Sequence, residues 1–280
     1  MSLPGKFVEV AGVRIFVHRP APSTPAAPRP PLVLIHGYLV SHWEWRAVLG
    51  PLAAAGFDVI ALDLPGHGES DRPRDFTYGV AGFSEIVIGV MDALGIDKAP
   101  LFGHSMGGAI ALYTAARNPE RVPRLVVLDA ACYPIALSLQ NRLAVTPIIG
   151  PLLFKGVFGK RDIKNYFRDQ VYRDPTLATD ELTDYIYERM CRPGGKDALH
   201  ATLVSLSNLG EVERSLRAIR CPTLVIWGEN ERLFPVENGR RMASEIPGAE
   251  LVVIPDCGHA GNEERPAEVL AAVLPFLQQA

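Results

Sequence analysis

Apolar residues in this chain fall in short, nearly unbroken runs. They are Leu32–Ile35, Asp58–Leu62, Leu101–Phe102, Leu125–Leu128, Leu224–Trp227 and Leu251–Ile254. Runs this short and this apolar suit strands covered on both faces, as in a parallel sheet. Two earlier runs, Phe7–Val10 and Val13–Val17, flank Ala11-Gly12 and predict a β-hairpin. Helical patterns fall between the strands, as at Phe83–Leu94 and Pro266–Gln278. This alternation predicts an α/β chain with a mostly parallel, doubly wound sheet. Functional residues then gather at the C-terminal ends of the strands. The Pro- and Ala-rich stretch Arg19–Pro31 reads as an exposed connector within that unit.

The rhythm breaks from about Ala131 to Ile219, which contains no strand-like run. That is too long for a plain loop. Its pattern is helical: Leu182, Tyr185, Ile186 and Met190 share one face, as do Leu199, Leu203 and Leu206. The segment Thr146–Phe154, followed by Val157 and Phe158, is strongly apolar. Most of these residues are expected to pack this region onto the rest, and some to line a pocket.

The chemistry is concentrated in Gly103-His104-Ser105-Met106-Gly107. A short apolar run precedes this stretch and a run of small and apolar residues follows it, ending at Asn118-Pro119. A serine on so tight a strand-to-helix turn is pushed outward, and glycines are needed where a side chain would collide across it. The helix N-terminus behind Ser105 presents free N–H groups and a positive dipole end, suited to an oxyanion. A nucleophilic serine needs a base and an orienting acid. His259 follows the strand-like run ending at Ile254, and Glu231 follows the one ending at Trp227. Asp129, after the run ending at Leu128, competes with Glu231 for the role of acid.

With Leu34-Ile-His-Gly-Tyr38, Asp63-Leu-Pro-Gly-His-Gly-Glu-Ser70, Gly103–Gly108, Leu125–Ala130, Trp227-Gly-Glu229, Gly258-His259 and Glu264-Arg-Pro266 in this order, the chain resembles the α/β-hydrolase superfamily, in its branch of small lidded serine esterases. The resemblance covers nearly the whole sequence. It implies the α/β-hydrolase fold with an inserted helical cap: core at 1–130 and 220–280, cap at 131–219. It implies Ser105 as nucleophile, His259 as base, and the N–H groups of Tyr38 and Met106 as oxyanion donors. Glu231 stands where the family usually has aspartate. The loop His36-Gly37-Tyr38 lacks the glycine-rich loop of the superfamily's carbon–carbon bond hydrolases.

Composition is consistent with this reading. At 280 residues, 48% hydrophobic and 21% charged, the chain can hold one large core plus an insertion. A net charge of −3 gives no case for nucleic acid as a partner. Four scattered cysteines without a C-x-x-C spacing, no signal-like N-terminus and no membrane-length apolar run favour a reduced, cytoplasmic setting. No metal or cofactor is expected, since His36 and His42 have no ligand-spaced partners. His36, His67 and His104 read as loop-packing residues, with His104 turned away from the reacting centre. Cys257 reads as a small buried hydrophobe. The function expected is hydrolysis of small to medium, mainly apolar carboxylic esters through an acyl-enzyme. A thioesterase, lactonase, amidase or perhydrolase could use the same residues, and a ligand receptor with little turnover could share the fold. Oligomeric state is not legible. Ser105→Ala should cut turnover by at least about 10³-fold, read by steady-state kinetics, while the thermal unfolding midpoint is retained.

Overall fold

A computed structural model describes residues 3–20, 31–134, 145–146, 149–156 and 158–279. Among them lies one eight-stranded sheet: β1 (Lys6–Val10), β2 (Val13–His18), β3 (Leu32–Ile35), β4 (Val59–Leu62), β5 (Leu101–His104), β6 (Leu125–Leu128), β7 (Thr223–Gly228) and β8 (Glu250–Ile254). Their order is β1-β2-β4-β3-β5-β6-β7-β8. The pair β1–β2 and the pair β2–β4 are antiparallel, and every other neighbour is parallel. The hairpin turn works because Ala11 and Gly12 both have positive φ, 49° and 79°, which suits the right-handed twist of its strands.

The central strands β3 to β6 are buried throughout. Two apolar layers cover the sheet. One joins Ile15, Val33, Ile60 and Val127 to α2 (Val80–Ala93) and α3 (Met106–Arg117). The other joins Leu34, Phe102 and Ile226 to α1 (Arg46–Ala54) and the C-terminal helix Pro266–Gln278. The alternation of strand and helix expected from the sequence is the architecture observed.

Between β6 and β7 the described residues form helices, among them Lys160–Tyr166, Asp180–Met190 and Gly195–Leu206. Leu182, Tyr185, Ile186, Met190 and Leu199 form a third apolar cluster with Ile163, Phe167 and Val171. This cluster closes on Leu39, Val40 and Ala260, which lie on loops beyond β3 and β8. Both ends of the insertion pack elsewhere: Ala131–Tyr133 and Leu209, Val212, Leu216 and Ile219 join the layer containing α3. Much of Thr146–Phe158, expected to be apolar packing, lies outside the described side chains; Leu152 within it is 71% exposed. No helix among the described residues is long and apolar enough to cross a membrane.

The loop after β4 is built around one buried carboxylate. Asp63 Oδ1 accepts the His42 main-chain N–H at 2.7 Å, and Oδ2 accepts the Glu69 N–H at 2.8 Å. Gly68, at φ 48°, passes so close that a Cβ there would sit 2.0 Å from Asp63 Oδ2. His36 joins this loop to the one after β3: its Nδ1–H donates to Gly37 O at 2.7 Å, and its Nε2 accepts the Leu64 N–H at 3.0 Å. His67 is buried beside it, its ring centroid 5.1 Å from that of His36.

His67 Nε2 has no hydrogen-bond partner among the described residues, and burial pushes its pKa down to about 3 from an ordinary 6.5. The ring is neutral in both folded and unfolded chains above the ordinary value. Below it the unfolded chain takes up the proton first, so stability falls with pH through the window from 6.5 toward 3. Between pH 7.5 and 5 the folding constant should lose about 30-fold through this group. Urea unfolding of His67→Phe at the two pH values should show that much less acid sensitivity than the unaltered chain.

Candidate active site

The turn at Ser105 is forced by two main-chain approaches. A Cβ on Gly103 would meet Gly107 O at 2.2 Å, and one on Gly107 would meet Ile35 O at 1.9 Å. Chain this crowded leaves Ser105 at φ 54°, ψ −115°, a region costly for a residue with a side chain. Main-chain bonds hold it there: Ser105 N–H donates to Leu128 O at 2.9 Å, and Ser105 O accepts the Ala131 N–H at 3.0 Å. Met106 opens α3, where the first N–H groups have no partner within the helix.

Ser105 faces a narrow cleft of about 340 Å³, counting its mouth. Gly37, Tyr38, His104 and His259 line it from the sheet side, and Tyr166, Phe167 and Val171 from the insertion. Of the residues expected from sequence, Ser105, His259 and Tyr38 thus share one cavity wall, with Met106 buried directly behind the serine.

His259 Nδ1–H donates to Glu231 Oε2, and both side chains are almost wholly buried. The glutamate's other oxygen accepts the Leu233 N–H. The loops carrying the two residues are stitched together by Glu229 N–H to Ile254 O at 2.9 Å and Asn230 N–H to Cys257 O at 2.8 Å. The extra methylene of glutamate is therefore accommodated without losing the contact to histidine. The insertion also holds the histidine loop: His259 N–H donates to Val171 O at 2.8 Å. Glu264, in the Glu264-Arg-Pro266 sequence, accepts from Gly258 N–H at 3.0 Å and Arg173 N–H at 2.7 Å.

Asp129, the competing acid, is fully buried, and among the described residues its carboxylate bonds Gly228 while the His259 Nδ1 bonds Glu231. Its Oδ1 accepts the Gly228 N–H at 2.9 Å, and Oδ2 has no hydrogen-bond partner among the described residues. Burial, with the Glu231 carboxylate as neighbour, pushes its carboxyl well above the usual range. Geometry and charge thus separate two acids that look equivalent in sequence.

Several lining residues carry no signal in the sequence. Glu44 and Glu263 both reach the cleft. Glu263 pairs with Arg46 and Tyr172, while burial pushes its carboxyl above its ordinary value. Glu44 sits between aromatic residues in His42-Trp-Glu-Trp45, a context from which burial is not readable. The orientation of His104 differs from expectation. Its ring is not turned away but lines the cleft, 4.9 Å from the His259 ring. Gly37 leaves the space: a Cβ there would sit 3.2 Å from His104 Nδ1. Trp43 packs at a tilt against Tyr185 of the insertion, whereas Trp45 is core. Cys257 is buried, with its thiol pushed up by burial. Among the described residues no cluster of His, Cys, Asp or Glu side chains could hold a metal ion.

Comparison with known proteins agrees with the fold. Residues 32–273 match the model of the Alpha/beta hydrolase family. The 2-hydroxymuconate semialdehyde hydrolase of Pseudomonas putida is 32% identical, covering 99% of this chain and 95% of its own. The 2-hydroxy-6-oxo-6-phenylhexa-2,4-dienoate hydrolase of Burkholderia cepacia is 34% identical over 88% of this chain and 87% of its own. Among solved structures, a meta-cleavage product hydrolase from Pseudomonas fluorescens IP01 superposes with a TM-score of 0.82 at 28% identity, covering 97% of each chain. An esterase from Thermogutta terrifontis shares the fold, with a TM-score of 0.80 at 24% identity over 98% of each chain.

If Glu231 orients the histidine, Glu231→Gln should lower kcat by about 10³- to 10⁴-fold. Asp129→Asn keeps the shape of a carboxyl whose hydrogen bond goes to Gly228, and should cost less than about ten-fold. Steady-state rates of the two variants under one set of conditions decide this, and a severe loss confined to Asp129→Asn transfers the role.

Proposed function

This chain belongs to the alpha/beta hydrolase family, and we propose that it is a serine hydrolase cleaving small to medium, mainly apolar carboxylic esters. Ser105 Oγ attacks the ester carbonyl while His259 takes its proton. Glu231 fixes the imidazole tautomer and offsets the charge the ring acquires. The N–H groups of Tyr38 and Met106 hold the oxyanion, a contribution of several kcal/mol in sites of this type. His259 then protonates the leaving alcohol, and water repeats the sequence on the acyl-enzyme. The helices of the insertion act as the lid, with Tyr166, Phe167 and Val171 shaping the acyl or alcohol side.

The observation that carries the choice of substrate is the charge of the cleft. Its described lining holds two carboxyl groups, Glu44 and Glu263, and no lysine or arginine. A substrate carboxylate entering here would lose hydration, meet two carboxyl groups and find no lysine or arginine to pair with, which is costly. An uncharged ester meets no such penalty. The polar surroundings of Ser105 and the apolar wall from the insertion suit that class.

A second reading comes from the relatives. Their names specify hydrolysis of muconate and dienoate substrates, which are carboxylates cleaved at a carbon–carbon bond. The loop His36-Gly37-Tyr38-Leu39 supports the ester reading against this one, as it has a single glycine. Rates on nitrophenyl acetate, butyrate and octanoate, set beside a 2-hydroxy-6-oxo-dienoate, separate the two. The ester reading expects kcat/KM for the butyrate to exceed that for the dienoate by at least about 10²-fold. The reverse ranking assigns the chain to carbon–carbon hydrolysis.

A further inference from the structure

His104 lies between two hydrogen-bond acceptors. Its Nδ1 is 3.1 Å from Glu44 Oε2, and its Nε2 is 2.9 Å from the main-chain carbonyl of His259. A carbonyl oxygen cannot donate, so Nε2 must carry a proton. The contact with Glu44 then needs a second proton, shared between a carboxylate and the other ring nitrogen. Both side chains are about 95% buried or more, so an unmatched charge on either would be expensive.

We propose that His104 is held as an imidazolium and acts as a positioning residue, its two N–H groups tying the Glu44 carboxylate to the main chain of the His259 loop. Glu44 completes the connection on the other side: Oε1 accepts the Gly37 N–H at 3.1 Å, one residue before Tyr38. An unbroken polar chain then runs from the loop after β3, through the turn carrying Ser105, to the loop after β8. The helix start at Asn262 supports it, Nδ2–H donating to Glu44 O at 2.9 Å. The consequence is mutual placement: three loops that no ladder connects are set by one charged side-chain pair. The kinetic part of this inference rests on the hydrolase reading above, whereas the protonation state does not.

The neighbours fit a cation at this position. Glu44 faces the ring from the turn after β3, and Glu263 from the segment after β8. The other titratable group against it is His259, whose ring centroid is 4.9 Å away. The edge of Trp45 closes the remaining side, its centroid at 6.4 Å. Burial by itself lowers the pKa of this imidazole. Glu44 and the His259 carbonyl outweigh burial and hold it above 6.5.

Long-range proton–nitrogen correlation spectra of the uniformly ¹⁵N-labelled chain at pH 7.5 read the ring directly. The chain has seven histidines, so His104→Gln and Glu44→Gln serve for assignment. The expected result is a ring with both nitrogens protonated that disappears in His104→Gln and becomes neutral in Glu44→Gln. A His104 ring with one bare nitrogen in the unaltered chain overturns the proposal, and this observation needs no folded variant. In kinetics on the best substrate found, glutamine at position 104 can donate from only one atom. It should lower kcat about ten-fold while KM changes less than about three-fold. An unchanged kcat with a raised KM overturns the positioning role even if the ring is charged. Absence of ester turnover leaves the spectral result standing and counts against the substrate reading alone.

Discussion

The close approach of main chain to main chain at Gly107 is the constraint on which the rest depends. The loop leaving β3 presses on the start of α3 with no room for a Cβ, and Gly103 is equally crowded from the other side. Because the backbone cannot relax, Ser105 stays in a left-handed conformation at the end of β5, its hydroxyl toward the cleft. The same approach brings the loop of Tyr38 beside the first N–H groups of α3. One packing contact therefore positions the serine of the turn and the free N–H groups of the helix start together. Strain in the serine is offset by the buried ladder of β3, β5 and β6 beneath it.

Around that point the loops at the strand ends have no ladder partners, and buried acids take over. Asp63 gathers the loop after β4, and Glu44 the loop after β3. Glu264 joins the His259 loop to the insertion, and Glu231 holds the imidazole. A carboxylate suits this because its two oxygens can accept several N–H groups at once. The arrangement also explains why Asp129 and Glu231 differ. Each follows a strand, but Asp129 spends one oxygen on Gly228 and leaves the other buried without a hydrogen-bond partner among the described residues. Two charged acids so close together and so deeply buried would repel, and Asp129, which has no imidazole N–H to accept, is the one whose carboxyl is pushed well above the usual range.

Strand positions were legible in the sequence because fully covered strands read as unbroken apolar runs, and the turn at Ser105 because glycines at 103 and 107 have a steric reason. The helical faces of Leu182–Met190 and Leu199 were legible from their 3.6-residue period. What pattern could not supply was the third dimension. Both acids end strands and look alike until burial is known. His104 was expected to point away, since nothing local reveals that Glu44 and the His259 carbonyl wait on the other side. The ends of the insertion could not be assigned to a layer either: Val212 and Leu216 are apolar in any packing, and only contact with α3 tells which core they join.

The central claim is that Ser105 is an activated nucleophile. A fluorophosphonate tests it directly, with the modified peptide located by mass spectrometry. The account predicts one label per chain, on the peptide containing Ser105, abolished by Ser105→Ala and slowed strongly by Glu231→Gln. Labelling that survives in Ser105→Ala, or no labelling of the folded chain, would contradict it.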